Sequence, residues 1–341
     1  MSEVTTIGLD LAKQVFHVHG ADGCGRPLFS RKVTRAKLAS FFASQPRCTV
    51  AMETCGGSHY WARELQRMGH DVRLIAPTYV KPFVKRQKND AADAEAICEA
   101  AQRPTMRFVP VKSEEQQASA AVFRARDLLV RQRTQTINAL RGLLAEYGWI
   151  APKGLFHVGG LIARIEDPSC ALSDSARSVF LVMIDTIKQH DQRIRELDRE
   201  IARRARDDAD ARRLMTIPGI GPITATALLA LAPPPENFRN GRDFAAWVGL
   251  TPLQRSTGGK QRLGAISKMG ERTLRRLLII GSAAVLLHAA KRGAPHGSWL
   301  EQMMARKPRM LVTVALANKT ARIVWAVLAK REDYRAPAAA A

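Results

Sequence analysis

The first 75 residues alternate short runs of β-branched and apolar side chains with a single stretch of helical spacing, and this restricts the segment to a sheet flanked by helices. Val4-Thr5-Thr6-Ile7-Gly8-Leu9 reads as a strand ending at Asp10. Val15-Phe16-His17-Val18-His19 reads as a second strand, and the turn residues Gly20-Ala21-Asp22-Gly23 lead into a third. Cys48 to Met52 and Asp71 to Ile75 read as two more, separated by a helix from about His59 to Met68. A hairpin followed by βαβ alternation predicts a mixed sheet with flanking helices.

Beyond residue 112 the pattern changes. Residues 113–149 and 175–208 read as long polar helices rich in Arg, Gln, Glu and Leu, with a looser Gly- and Pro-containing stretch between them, so a helical hairpin or coiled coil is expected. From about Leu214 a compact helical domain follows, broken internally at Pro233-Pro234-Pro235, and Leu277 to Ala290 reads as a core helix. The expected fold class is therefore α/β plus all-α, with domains over residues 1–112, 113–208 and 209–334 and a frayed tail over 335–341.

The charge is unevenly spread. The net charge is +22. Residues 211–341 hold 21 Lys and Arg against 6 acids, whereas residues 1–110 hold 16 against 10. A one-signed excess on a folded domain repels itself unless an anion neutralises it, so nucleic acid is the expected partner. The apolar runs are interrupted or short, so no membrane span is expected. Five cysteines without a CxxC pair predict a reducing, cytoplasmic setting and no structural zinc.

Four carboxylates stand out in the first domain. Asp10 and Glu53 each end an apolar strand, while Asp90 and Asp93 share one face at the start of a helix. Gathered together they would repel unless a divalent cation lay between them. Mg²⁺ is the natural ion, because it takes hard oxygen ligands and serves phosphate chemistry. Each residue also has a plainer role. Asp90 suits a helix N-cap, Asp93 a first-turn acid and Asp10 a turn residue. His17 and His19 alternate with Phe16 and Val18, which favours a packed sheet face over metal ligation.

Two features mark the last third. Thr216 to Ala225 contains Pro218-Gly219-Ile220-Gly221-Pro222, the small-residue turn of a helix-hairpin-helix, where Gly219 and Gly221 let backbone N–H groups approach a phosphate; a plain turn between helices has the same composition. Arg255-Ser256-Thr257-Gly258-Gly259-Lys260 places a hydroxyl in a Gly-rich loop between cations, where a phosphodiester can be held during attack, although serine is common in such turns for conformational reasons alone. Arg255, Thr257, Gly258, Lys260, Arg262, Lys268, Arg275 and Arg276 complete the candidate nucleic-acid surface.

Gly8-Leu9-Asp10-Leu11-Ala12-Lys13, Met52-Glu53-Thr54-Cys55-Gly56 and Lys88-Asn89-Asp90-Ala91-Ala92-Asp93-Ala94 together resemble the DEDD signature of insertion-sequence transposases related to the Piv DNA invertase, the bridge-RNA-guided recombinases. The stretch from Phe244 through Leu277 resembles the second block of the same family, in the same order. One departure is local: Gly56-Gly57-Ser58-His59 precedes Tyr60, where the family commonly has a tyrosine nearer the glycine.

The resemblance implies a RuvC-like, ribonuclease-H-type domain in which Asp10, Glu53, Asp90 and Asp93 bind Mg²⁺. It also implies a loop serine that becomes joined to DNA. Here that is Ser256; counting from Pro252 lands instead on Thr257, the more hindered nucleophile. The implied partners are donor and target double-stranded DNA, a structured bridge RNA and further copies of the chain in a dimer or tetramer, with the acidic and serine domains meeting from different protomers. Two other functions fit the residues: a RuvC-like nuclease using water, and a basic nucleic-acid-binding protein with structural carboxylates.

Overall fold

In the computed structural model, which describes residues 3–85 and 89–336, the chain divides into two units, Met1–Gln117 and Ala118–Ala341. The first carries strands β1 (Thr6–Asp10), β2 (Val15–Ala21), β3 (Pro27–Thr34), β4 (Thr49–Glu53), β5 (Asp71–Ile75) and β6 (Phe108–Val109) in one sheet of order β3-β2-β1-β4-β5-β6. The pairs β1/β2, β2/β3 and β5/β6 are antiparallel, while β1/β4 and β4/β5 are parallel. This is the mixed sheet expected from the sequence, with the edge strand β6 added.

Helices α1 (Leu38–Ala43) and α2 (Ser58–Arg67) bury one sheet face, where Ile7, Leu9, Phe16, Val18, Val50 and Met52 form a core with Phe42, Trp61 and Leu65. The short α3 (Pro77–Val80) leads towards the other face, which is covered by α4 (Asp90–Ala101). A Cβ on Gly8 would stand 2.2 Å from the Ala94 carbonyl oxygen, so only glycine lets α4 lie this close to β1. Residues 86–88, which include Lys88 of the acidic motif, lie outside the described residues, as does the tail from residue 337.

Helix α5 (Glu114–Ala145) begins at the end of the first unit and runs through the second, where α6 (Val158–Glu166) and α7 (Asp174–Asp207) follow. Arg126 pairs with Asp198 and Arg133 with Asp191, each at 2.5 Å. One partner rises by seven residues as the other falls by seven, so α5 and α7 are antiparallel, as a helical hairpin requires. Its far end has its own core of Ile137, Leu140, Leu144, Ile165, Phe180 and Ile184.

The near end shares a core with the C-terminal helices. Ala120, Phe123, Ile201 and Ala205 pack with residues of α8 (Ala209–Met215), α9 (Pro222–Leu231), α10 (Gly241–Val248), α11 (Arg272–Arg292) and α13 (Arg309–Lys330). A hairpin of β7 (Pro252–Gln254) and β8 (Leu263–Ile266) lies between α10 and α11, and α12 (Trp299–Arg306) precedes α13.

The expectation that every apolar run falls short of a membrane span needs correction. Among the described residues, α11 and α13 are long and apolar enough to cross one. Their packing gives the reason for that composition, because both contribute to the shared core; α11 also buries the charged Arg275 and the polar Ser282.

Candidate active site

Leu9 pairs with Met52 in the parallel register of β1 and β4, so Asp10 and Glu53 follow side by side at the carboxyl ends of these strands. Adjacent strands lie about 4.8 Å apart, which sets the spacing of the two backbones there. Both side chains are half-buried, and each engages other groups. Cys55, just beyond β4, reports their charge. Burial raises its thiol pKa, and the negative charges of Glu53 and Asp10 push it further in the same direction.

Helix α4 brings the other two carboxylates. Cys98 lies within 3.7 Å of the Thr6 carbonyl and Ala94 lies over Gly8, so α4 runs antiparallel to β1. Its first turn, with Asp90 and Asp93, therefore overlies the end of β1 that carries Asp10. Asn89 is the N-cap: its Oδ1 accepts from the Ala92 N–H at 2.8 Å. The capping role that suited Asp90 thus belongs to its neighbour, and Asp90 is exposed. Among the described residues, no three His, Cys, Asp or Glu side chains are yet gathered closely enough to hold one ion. The donor set nevertheless suits Mg²⁺ in kind, being four hard carboxylates on one sheet edge and the adjoining helix turn.

Ser256 lies in the second unit, on the β7–β8 hairpin. The loop expected from the sequence is an ordered turn. Arg255 N–H donates to the Arg262 carbonyl at 2.8 Å, and Lys260 N–H to the Thr257 carbonyl at 3.0 Å. Gly258 and Gly259 take φ values of +54° and +76°, the two left-handed positions of a tight hairpin turn that disfavours other residues. Ser256 Oγ accepts from the Arg262 N–H and from the Gln254 side-chain amide, both at 3.2 Å. Among the described residues no hydrogen bond reaches the Thr257 hydroxyl. Arg255, Lys260, Arg262 and Lys268 are all exposed around this turn. The sequence reading passes over Gln254; strand alternation beside the Gly-Gly turn is the signal that could have found it.

Arg275 requires a correction. It was expected on the nucleic-acid surface, but it is 9% exposed and its guanidinium donates to the carbonyls of Val248 at 2.9 Å and Met269 at 2.6 Å. Burial lowers its pKa, and the contacts tie the end of α10 to the root of the hairpin. Its neighbour Arg276 is exposed and pairs with Asp127 at 2.5 Å.

Gly219 and Gly221 form the turn between α8 and α9, as expected. A Cβ on Gly219 would stand 2.7 Å from the Gly281 carbonyl oxygen, so this glycine serves the approach of the turn to α11; no atom lies within 4 Å of a Cβ on Gly221.

Two family models match the chain. A DEDD transposase model of the IS110 type covers residues 7–148, and the model described as "Transposase IS116/IS110/IS902 family" covers residues 211–296. Similarity to curated proteins extends over nearly the whole length. A probable family 20 transposase of Pseudomonas aeruginosa is 49% identical over 97% of this chain and 99% of its own. A putative transposase of Sinorhizobium fredii is 44% identical over 98% of this chain and 87% of its own. The transposase for insertion sequence element IS1111A of Coxiella burnetii is 38% identical over 98% of this chain and 92% of its own.

Proposed function

Since the chain belongs to the IS116/IS110/IS902 family of insertion-sequence transposases, we propose that it exchanges DNA strands with Ser256 as nucleophile and with Asp10, Glu53, Asp90 and Asp93 holding Mg²⁺. The observation that carries the reading is the pair of N–H donors on Ser256 Oγ. Donors aimed at a hydroxyl oxygen stabilise its deprotonated form and orient its lone pairs. The neighbouring Thr257 has no such donors.

In the proposed reaction Ser256 Oγ attacks the phosphorus of a DNA phosphodiester. The new bond is Oγ–P, the bond to one deoxyribose oxygen breaks, and the freed DNA hydroxyl takes the proton that leaves Ser256. Attack by the hydroxyl of another strand reverses these steps with a new partner and regenerates the serine, so the bond energy is kept. Arg255, Lys260, Arg262 and Lys268 hold the phosphate backbone beside the turn. When bound, Mg²⁺ supplies charge that offsets the negative charge developing on the phosphoryl oxygens.

The strand order β3-β2-β1-β4-β5 with carboxylates at the ends of β1 and β4 supports the RuvC-like, ribonuclease-H-type assignment of the first unit. The basic last third, with its excess of fifteen positive charges, supports contact with DNA and with a bridge RNA that selects donor and target. Gly221 and the start of α9 suit a helix-hairpin-helix phosphate contact. The antiparallel α5–α7 hairpin supplies a surface for joining protomers in a dimer or tetramer. The expected setting is the bacterial cytoplasm.

The test is strand exchange between donor and target DNA in the presence of the RNA encoded beside the element, with trapping of protein-linked DNA under denaturing conditions. The expected result is an adduct in the unmodified protein, none with Ser256→Ala, and loss of exchange with Asp10→Ala and Asp90→Ala. Full exchange by Ser256→Ala would overturn the serine reading, and full exchange by Asp10→Ala the carboxylate one.

A further inference from the structure

Helix α13 is apolar on two sides. One, with Ala317, Ala321, Val324 and Val327, packs into the shared core. On the other, Leu311, Val314, Ala315, Asn318 and Arg322 recur at three- and four-residue steps and so lie along one face. With Pro252 and Ile266 of the β7–β8 hairpin and Trp299 of α12, they line an open groove of about 1000 Å³. A helix face turned to water ordinarily carries polar side chains. Here Leu311 is 51% exposed and Met310 beside it 69%.

Among the described residues, the charged side chains that line this groove are Lys319 and Arg322, both cations. A Cβ on Gly264, in the groove wall, would stand 3.7 Å from Arg255 Nε, so the groove is continuous with the cationic hairpin turn. Trp299 supplies a half-buried aromatic surface, with Lys319 Nζ 4.6 Å from its ring centroid. Asn318 Nδ2 donates to the Leu250 carbonyl at 3.2 Å, which fixes Oδ1 as an acceptor. Among the described residues no hydrogen bond reaches that oxygen. An apolar slot with an aromatic surface, one acceptor and positive groups complements a flat ring that bears N–H donors and is joined to a phosphate. An apolar segment of protein would cover both cations without a counter-charge.

We propose that the groove receives one unstacked nucleobase of the DNA strand held at the β7–β8 hairpin. The inference rests on the reading of that hairpin as the element that binds and attacks DNA. Pro252 and Ser256 are four residues apart, about 13 Å along an extended strand. Successive phosphates of one DNA strand advance about 3.4 Å along the duplex axis, so the seated base lies within about four nucleotides of the attacked phosphate. Lys319 and Arg322 hold the phosphate that carries it, Trp299 and Val314 cover the ring, and Asn318 Oδ1 accepts from the exocyclic amine of adenine or cytosine. A base drawn out of the stack loosens the duplex beside the bond to be exchanged, and it adds sequence preference to phosphate contacts that have none.

The experiment is fluorescence anisotropy of the full chain with two labelled DNA duplexes, identical except for one extrahelical residue: adenine in the first, an abasic sugar in the second. An unpaired base need not be torn from a partner, so the comparison reads the groove itself. The unmodified protein is expected to bind the first duplex about tenfold more tightly or better. Ala315→Phe, which fills the groove, brings the two affinities together. Should Ala315→Phe fail to fold, Ala315→Leu serves the same comparison.

If the unmodified protein binds both duplexes equally, or if the difference survives filling of the groove, the base site is wrong while the hairpin reading stands. A difference that appears only with RNA versions of the two duplexes assigns the groove to RNA and overturns the proposal. So does an oligomer that Ala315→Phe converts to a monomer in analytical ultracentrifugation while the difference between duplexes persists, because the groove is then a joint between copies of the chain. If neither duplex binds, or if Arg255→Ala with Lys260→Ala leaves binding of both unchanged, the hairpin reading fails and this one falls with it.

Discussion

Gly8 lies directly beneath Ala94: a Cβ at residue 8 would stand 2.2 Å from the Ala94 carbonyl oxygen and 2.6 Å from the Cys98 amide nitrogen. Neither atom can yield without moving the backbone of α4. The helix that carries Asp90 and Asp93 is thereby set against the strand that carries Asp10. Gly8→Ala is expected to destabilise the protein by about 1–3 kcal/mol, as overpacking does. Because it lifts the first turn of α4, strand exchange should fall further than stability alone explains. Urea unfolding and exchange assays on the same preparation check both, and an unchanged midpoint would show that α4 is not fixed by this contact.

Arg275 and Arg276 are adjacent in sequence and opposite in role. Arg275→Ala strands the carbonyls of Val248 and Met269 and is expected to cost about 2–4 kcal/mol. Arg276→Ala loses only an exposed pair with Asp127 and is expected to cost less than about 1 kcal/mol. DNA binding should separate them from the hairpin cations. Arg255→Ala, Lys260→Ala and Arg262→Ala each lower the slope of log affinity against log salt by about one, while Arg275→Lys leaves it unchanged. Fluorescence anisotropy with a duplex over a salt series reads the slopes; a drop for Arg275→Lys would place its charge on the DNA after all.

What was legible in the sequence depended on whether local pattern or long-range packing made the decision. Strands β1 and β4 were legible because their apolar runs end sharply at Asp10 and Glu53, β5 because its short apolar run stops before Pro77, and the antiparallel long helices because their polar spacing persists over many turns. Strand β6 was not, since Phe108-Val109 is too short for any periodicity to show. The Ser256 turn read as a loop because Pro252 and the charges around it mask strand character, although Gly258-Gly259 between alternating residues is itself a hairpin signal. Nothing local distinguishes Arg275 from Arg276, because its burial is decided by the end of α10, some 27 positions away in the chain. The α4 carboxylates were legible as a motif, but their placement over β1 rests on Gly8, whose small size has meaning only once the helix lies on it.

His19 links the first unit to pH. Burial lowers its pKa from the ordinary 6.5, with Lys85 and His17 adding to the effect and Glu95 opposing it. The folded protein thus resists a proton that the unfolded chain accepts at its ordinary value. Above pH 6.5 both states hold neutral imidazole and the group contributes no slope. As pH falls below 6.5 the unfolded state binds more protons, so stability declines. His19→Gln is expected to flatten this decline in urea titrations between pH 7 and pH 5. An unaltered slope would mean that His19 is protonated in the fold as readily as outside it.

Gln254 and Ser256 provide the sharpest test of the hairpin. The Gln254 amide is one of two donors to Ser256 Oγ, at 3.2 Å, and it carries no charge. Its removal should leave DNA affinity and its salt dependence intact while weakening stabilisation of the developing alkoxide. A hydrogen bond to a charged group is worth about 1.5–3 kcal/mol, so Gln254→Ala is expected to slow formation of the protein–DNA adduct by about 10- to 100-fold. Thr257→Ala, which removes a hydroxyl without such donors, should slow it little. The measurement is single-turnover adduct formation under saturating protein, where binding differences drop out. If Thr257→Ala abolishes the adduct while Ser256→Ala and Gln254→Ala retain it, the nucleophile is the threonine, and the two donors merely hold the turn closed around Ser256.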